Sequence, residues 1–267
     1  MKRLIVAGAT GRMGSRIAAL SKEYPEVQLC GALESKESKD IGRDIGLLLG
    51  LGETKVLISD SLEHIISDGD VVIDFSIPAA TIQNAIIAAE NGKAMVIGTT
   101  GFSKDQIEVL RLLSGNIPVL LAPNMSVGVN LLFKILRDIA PVLGDDYDIE
   151  IIEAHHRMKK DAPSGTALKM AQVIADALKR NLDEVGVYSR KGMIGERTKQ
   201  EIGIQTVRAG DIVGEHTVLF GGLGESIEIT HKASSRDTFA RGALKAAIWA
   251  ADRGPGLYDM QDVLGLK

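Results

Sequence analysis

Along the first half of the chain the apolar residues gather into short unbroken runs: Leu4-Ile5-Val6-Ala7, Val27 to Leu33, Val71 to Phe75, Ala94 to Ile97 and Val119 to Ala122. Between them lie segments with the spacing of one-sided helices: about Ser15 to Ser21, Pro78 to Asn91-Gly92, and a stretch ending at Leu113. Proline in the first turn and glycine just past the end frame the second of these, as helix geometry favours. Unbroken apolar runs alternating with helices predict a parallel sheet buried on both faces. The pattern changes after Asn124. An amphipathic segment from Val129 to Leu143 stops at Gly144, and Asp148 to Ile151, Thr206 to Arg208 and Ser226 to Thr230 alternate with period two. Alternation predicts a sheet with one packed face and one that is wet or covered by a partner. Further helices are predicted from near Thr166 to Leu178 and, rich in alanine, from Thr238 to Ala251. The expected architecture is α/β: a parallel-sheet domain, an inserted α+β domain, and a last helix returning to the first.

Composition narrows the function classes. The 267 residues include 31 Lys+Arg and 35 Asp+Glu, a net charge of −4, and 45% are hydrophobic. That length suffices for two modest domains with their own cores. Mild acidity and only ten aromatic residues argue against a nucleic-acid surface, which needs a basic excess or stacking platforms. Cys30 is the single cysteine, which excludes an intramolecular disulfide and a cysteine-based zinc site. The run Leu4 to Ala9 is too brief for a secretory leader, and no stretch reaches the ~18 apolar residues of a membrane span. A soluble cytoplasmic protein without nucleic-acid or membrane partners is expected.

Gly8-Ala9-Thr10-Gly11-Arg12-Met13-Gly14 stands between a predicted strand and a predicted helix. A turn without Cβ atoms lets backbone N–H groups approach a pyrophosphate at the start of a helix. The spacing G-x-x-G-x-x-G departs from the stricter G-x-G-x-x-G pattern, and a purely structural turn is the competing reading. Glu34 adds weight: it lies 20 residues after Gly14 at a strand end, where an acid accepts hydrogen bonds from an adenosine ribose. An acid there favours the free 2′-hydroxyl of NAD, while Lys36, and less so Lys39, could neutralise a 2′-phosphate, so use of both NADH and NADPH is expected. The loops Gly98-Thr99-Thr100-Gly101 and Ala122-Pro123-Asn124-Met125 follow predicted strands and are expected to flank the nicotinamide half, making the first domain Rossmann-like.

The densest chemistry lies in Glu153-Ala154-His155-His156-Arg157-Met158-Lys159-Lys160-Asp161-Ala162-Pro163-Ser164-Gly165-Thr166. Clustered cations followed by a Ser-Gly-Thr helix start call for an anionic ligand, with a solvated basic loop as the plain alternative. His155 and Lys159 are the two residues suited to deliver a proton: a histidine titrates near neutrality, and cations crowding a lysine favour release of its proton. Adjacent histidines on a strand point to opposite faces, so no metal site is expected.

Six segments together match one family: residues 8–14, Ile-Gly-Thr-Thr-Gly-Phe at 97–102, Glu-Ala-His-His-Arg at 153–157, Lys-Lys-Asp-Ala-Pro-Ser-Gly-Thr-Ala at 159–167, Arg-Ala-Gly-Asp-Ile-Val-Gly-Glu-His at 208–216 and Thr-His-Lys-Ala-Ser-Ser-Arg at 230–236. Over essentially its whole length the chain resembles 4-hydroxy-tetrahydrodipicolinate reductase (dihydrodipicolinate reductase). The resemblance implies reduction of a cyclic dicarboxylate by NADH or NADPH in diaminopimelate and lysine biosynthesis, releasing tetrahydrodipicolinate and water. It implies His155 and Lys159 as proton-donor candidates and His156, Ser164, Gly165 and Thr166 as substrate-carboxylate ligands. Gly8, Ala9, Thr10, Gly11, Arg12, Met13, Glu34, Gly98, Thr99, Thr100, Ala122, Pro123, Asn124 and Met125 would contact the cofactor. It further implies a dinucleotide-binding domain, 1–126 plus 237–267, around a substrate-binding and tetramerisation domain, 127–236, with a hinge whose closure excludes water. Members favouring NADPH often carry arginine after the acid; here Ser35 and then Lys36 follow Glu34. His216, His231 and Arg236 match motif positions without a role that chemistry alone assigns. The rivals are another NAD(P)-dependent dehydrogenase, acting on an anionic amino-acid-like substrate or a semialdehyde, against which the basic loop discriminates because a dianionic substrate justifies its charge density and a neutral aldehyde would not, and a dinucleotide-sensing regulator, which the net charge does not support.

Overall fold

In the computed structural model, which describes residues 1–267, the apolar runs of the first half become strands of one parallel sheet. In chain order the elements are β1 (Lys2–Ala7), α1 (Gly14–Leu20), β2 (Val27–Leu33), α2 (Ile45–Leu48), β3 (Ile58–Ser59), β4 (Val71–Asp74), α3 (Pro78–Glu90), β5 (Ala94–Ile97), α4 (Lys104–Leu113) and β6 (Pro118–Leu121). Then come α5 (Val127–Leu143), β7 (Asp148–His155), α6 (Gly165–Ala177), α7 (Leu182–Val185), β8 (Gly186–Val187), β9 (Ile202–Arg208), β10 (Gly214–Gly221) and β11 (Ser226–Ala233). The chain ends with α8 (Asp237–Ala250), β12 (Gly256–Tyr258) and α9 (Met260–Leu264). Contacts divide it into two units, Met1–Val127 with Arg236–Lys267, and Gly128–Ser235.

The first unit holds seven strands in the order β12-β6-β5-β4-β1-β2-β3, every neighbouring pair parallel. Alternate strand residues point to opposite faces, and both faces are packed. Leu4, Val6, Val71, Ile73 and Val96 meet Ile17 of α1 and Ala243, Leu244 and Ala247 of α8 in one layer. Ile5, Val72, Met95 and Ile97 meet Ala85 and Ala88 of α3 and Leu110 of α4 in the other. Burial on both sides is why these runs contain so few polar positions.

The sheet of the second unit runs β11-β10-β7-β9-β8, with β7, β9 and β8 parallel and β10 and β11 antiparallel. One face carries Ile149, Ile151, Ile202, Ile204, Val218 and Phe220, packed in one core with Leu132, Phe133 and Leu136 of α5 and Met170 and Ile174 of α6. The other face bears Ile152 and Val207, 40% and 43% exposed. β10 has no counterpart in the sequence reading, because Leu219 on the open face breaks the alternation that His216, Val218 and Phe220 would otherwise show. No helix is long and apolar enough to cross a membrane.

Candidate functional site

In the first unit the chain leaves β1 and turns through Gly8 into α1. Gly8 has φ +72°, and a Cβ there would lie 2.7 Å from the Phe75 carbonyl oxygen. A Cβ on Gly14 would lie 2.1 Å from the Gly8 carbonyl oxygen, so glycine alone fits both positions. Glu34, just past β2, reaches over the turn, where its carboxylate accepts from the Thr10 N–H at 3.0 Å, the Thr10 hydroxyl at 2.6 Å and the Ser35 N–H at 3.1 Å. A cavity of about 880 Å³ opens beside it, lined among others by Gly8, Thr10, Glu34, Lys36 and Phe75. Lys36 thus reaches this cavity, together with the acids Glu37, Asp60 and Glu63; Lys39 does not line it. Bare glycine backbone, a carboxylate able to exchange Thr10 for ribose hydroxyls, and this volume fit a dinucleotide.

Of the remaining residues expected at the cofactor, Ala9, Gly98, Thr99, Ala122 and Met125 are buried, Met13 and Asn124 half-buried, and Gly11, Arg12, Thr100 and Pro123 exposed. Ala122 and Met125 pack in the core layer shared with α8. The Thr99 hydroxyl turns inward, donating to the Asp74 carboxylate at 3.2 Å.

In the second unit, β7 alternates Ile149, Ile151, Glu153 and His155 on its packed face. Glu153 is fully buried, and its carboxylate is a hub: it accepts from His155 Nδ1 at 2.6 Å, the Ser164 N–H at 3.0 Å, the Thr206 hydroxyl at 3.3 Å, and both Arg208 terminal nitrogens at 2.8 and 2.9 Å. Burial pushes the Glu153 carboxyl up, but the hydrogen bonds from Arg208, His155 and Ser164 outweigh it and hold it at about 2. Burial also pushes His155 below the ordinary histidine value, only partly opposed by Glu153. Ser164 caps α6, its hydroxyl accepting from the Ala167 N–H at 3.2 Å and meeting His216 Nε2 at 3.1 Å. The His216 ring stands edge-on to His155, centroids 5.2 Å apart. Lys159 pairs with Asp161 at 2.9 Å, and Gly165 has open space where a Cβ would be. His156, just after β7, and Thr166, in the first turn of α6, are half-buried. The structure therefore gathers Glu153 and His155 of β7 and Ser164 at the start of α6 with Arg208 of β9 and His216 of β10, the two strands that flank β7 but lie far along the chain. His231 lies opposite His216 in the β10–β11 register, and Arg236 is exposed at the N-cap of α8 in the first unit.

Burial of His216, with some repulsion from His155, lowers its pKa to about 4. The unfolded chain keeps the ordinary value near 6.5, so it takes up this proton first as pH falls. Stability is undiminished above pH ~6.5 and declines toward pH ~4, by an amount of order 3 kcal/mol. Thermal melts across this range are expected to show a falling Tm in the wild type and a shallower fall in His216→Gln. Equal slopes would remove His216 as the cause.

Comparison with known proteins agrees along the whole chain. Residues 2–125 match the family description "Dihydrodipicolinate reductase, N-terminus" and residues 128–264 match "Dihydrodipicolinate reductase, C-terminus". The chain belongs to the dihydrodipicolinate reductase family. It is 57% identical over 267 residues, 100% of both chains, to the 4-hydroxy-tetrahydrodipicolinate reductase of Syntrophus aciditrophicus (strain SB). The corresponding protein of Desulfotalea psychrophila (strain LSv54 / DSM 12343) is 56% identical, with 100% of this chain and 99% of that one covered. A solved structure, dipicolinate-bound dihydrodipicolinate reductase from Paenisporosarcina sp. TG-14, superposes with TM-score 0.77 at 26% identity, covering 98% of each chain. Within this family member, sequence reasoning left Glu153, Arg208 and Phe75 without a role. The available signal for Glu153 was an acid at a core parity, in step with Ile149 and Ile151.

Proposed function

We propose that this reductase-family member converts 4-hydroxy-tetrahydrodipicolinate to tetrahydrodipicolinate and water with NADH or NADPH, in diaminopimelate and lysine biosynthesis in the cytoplasm. The observation carrying this is the loop Glu153 to Thr166, where a histidine anchored on a buried carboxylate shares one segment with a lysine and an open helix start. The first unit is the dinucleotide domain, using Gly8 to Met13, Glu34, Gly98 to Thr100 and Ala122 to Met125. Glu34 takes ribose hydroxyls, and Lys36 in the same cavity supports a 2′-phosphate, hence use of both cofactors. The second unit binds the substrate.

When bound, the reduced nicotinamide supplies a hydride. The reaction also consumes a proton, and the substrate hydroxyl leaves as water. His156, Ser164, Gly165 and Thr166 hold a substrate carboxylate, for which the bare Gly165 and the start of α6 give close backbone approach. Glu153 fixes His155 with Nδ1–H on the carboxylate, which leaves Nε2 as the exchanging nitrogen. A dianionic substrate raises His155 again, readying it to carry the proton alongside Lys159. Gly214 keeps room at that nitrogen: a Cβ there would stand 3.1 Å from His155 Nε2. Because Glu153 pins the ring, Gly214→Ala is expected to lower kcat ~10-fold or more with NADH binding unchanged. Unaltered kcat would show that Nε2 is not the working atom.

The open face of the second sheet, with Ile152 and Val207, supports assembly of a homotetramer through this unit. So does the fully exposed Met193, on a segment anchored where Arg190 and Arg197 bind Glu150. Sedimentation equilibrium tests it, and a monomer would overturn it. The activity is tested by following loss of reduced nicotinamide absorbance, with pyruvate, aspartate semialdehyde and the upstream synthase generating the unstable substrate. NADH and NADPH are each expected to be oxidised only when the synthase mixture is complete. No oxidation by a protein that binds dinucleotide would instead favour a dehydrogenase for another anionic substrate.

A further inference from the structure

The turn Asp74-Phe75-Ser76 leaves β4 between the two glycine loops of the first unit. Its Phe75 carbonyl crowds Gly8, and the Phe75 ring lies 2.1 Å from where a Cβ on Gly98 would be. Asp74 is fully buried. Its Oδ1 accepts from the Ser76 N–H at 2.9 Å and from the hydroxyls of Ser76 at 2.6 Å, Thr81 at 3.0 Å and Thr99 at 3.2 Å, while Oδ2 accepts from Asn84 Nδ2 at 2.8 Å. The Gly98 N–H donates to the Asp74 carbonyl at 2.9 Å. These donors come from the turn itself, from α3 and from the loop after β5, and no cation is among them. A carboxylate buried without a cation costs several kcal/mol unless neutral donors surround it. Here both oxygens are used, and an amide in its place would face Asn84 Nδ2 donor to donor. Phe75, Ser76 and Asn84 line the 880 Å³ cavity, whereas Asp74 does not.

We infer that Asp74 is a positioning residue for the dinucleotide, setting where the Thr99 loop and the Phe75 ring stand while touching no reactant itself. The inference rests on the dinucleotide reading of the first unit. Binding of NADH is measured directly by fluorescence on the full-length wild type, Asp74→Asn, Thr81→Val (a donor to Asp74 that does not line the cavity) and the reciprocal swap Asp74→Asn with Asn84→Asp, with melting temperature and steady-state kinetics alongside. Asp74→Asn is expected to raise Kd and KM for NADH about tenfold, Thr81→Val about fivefold, and the swap to recover much of the loss, with kcat at saturation and KM for the dicarboxylate little changed. Folded variants that bind NADH like the wild type, even at lower Tm, would make Asp74 merely structural and overturn the inference. Should Asp74→Asn fail to fold, Thr81→Val decides alone. A wild type that binds neither NADH nor NADPH would overturn the dinucleotide reading and this inference with it, an outcome distinct from equal binding by wild type and variants.

Discussion

Replacing Lys159 by alanine is expected to lower kcat about a hundredfold or more, the range associated with losing a positioned proton donor. The Kd for NADH is expected to stay at its wild-type value, because the residues proposed to hold the nucleotide all belong to the first unit and include no part of this loop. The one ion pair that Lys159 makes is to Asp161, a side chain 60% exposed, and such pairs contribute little to stability. Asp161→Asn therefore serves as the control: it breaks the same pair, leaves the ammonium, and should retain most activity. Single-turnover and steady-state rates, read beside NADH titrations, separate the two variants. Undiminished turnover in Lys159→Ala would remove it from the chemistry.

Glu153→Gln is expected to damage both stability and rate. The substituted side chain would present an amide N–H₂ where the carboxylate now accepts from His155, Ser164 and Arg208, so at least one donor would face a donor. Removing one partner of a buried charge pair destabilises by about 3–5 kcal/mol, so urea melts should show a marked loss of midpoint. The rate effect has its own signature. Glu153 now opposes the downward push of burial on His155, so its loss lowers the histidine pKa further. If His155 carries the proton, the pH above which kcat/KM declines moves to lower values in the variant, as well as the plateau falling. An unmoved profile with only a reduced amplitude would leave Glu153 a structural group. The Glu153 carboxyl itself, held at about 2, adds stability that is complete above pH ~4.5 and lost as pH falls toward ~2.

The parallel sheet could be read from the chain because burial on both faces leaves unbroken apolar runs, and β2 and β5 have the bounds expected of them. Phe75 extended the run that forms β4 by one residue, since an apolar side chain that lines a cavity is indistinguishable in sequence from one that lines a core. The strands β3, β8 and β12, of two or three residues, carry no period at all. At the site, the segment 153–166 stood out because its histidines and cations are contiguous, although Glu153 was given no role. Arg208 and His216 appeared only as motif positions without a role, since what brings them in is strand register: His155 faces Arg208 across β7–β9, and Glu153 faces His216 across β7–β10. A pairing between positions more than fifty residues apart leaves no local mark (208 − 155 = 53; 216 − 153 = 63).

The return of the chain to its first sheet has a consequence for synthesis. Eight of the 25 buried residues in one layer of that unit, from Ala240 to Val263, lie after the inserted unit, and β12 forms the edge beside β6. On the ribosome, the residues up to Val127 emerge with this layer incomplete and the β6 edge unpaired, while Gly128–Ser235 is already contiguous and can condense as a piece. The inserted unit is thus the first able to finish folding, although it is the second to appear. Until the alanine-rich α8 clears the exit tunnel, the nascent nucleotide domain presents an uncovered apolar face, which is the stretch of its life in which a chaperone has something to hold.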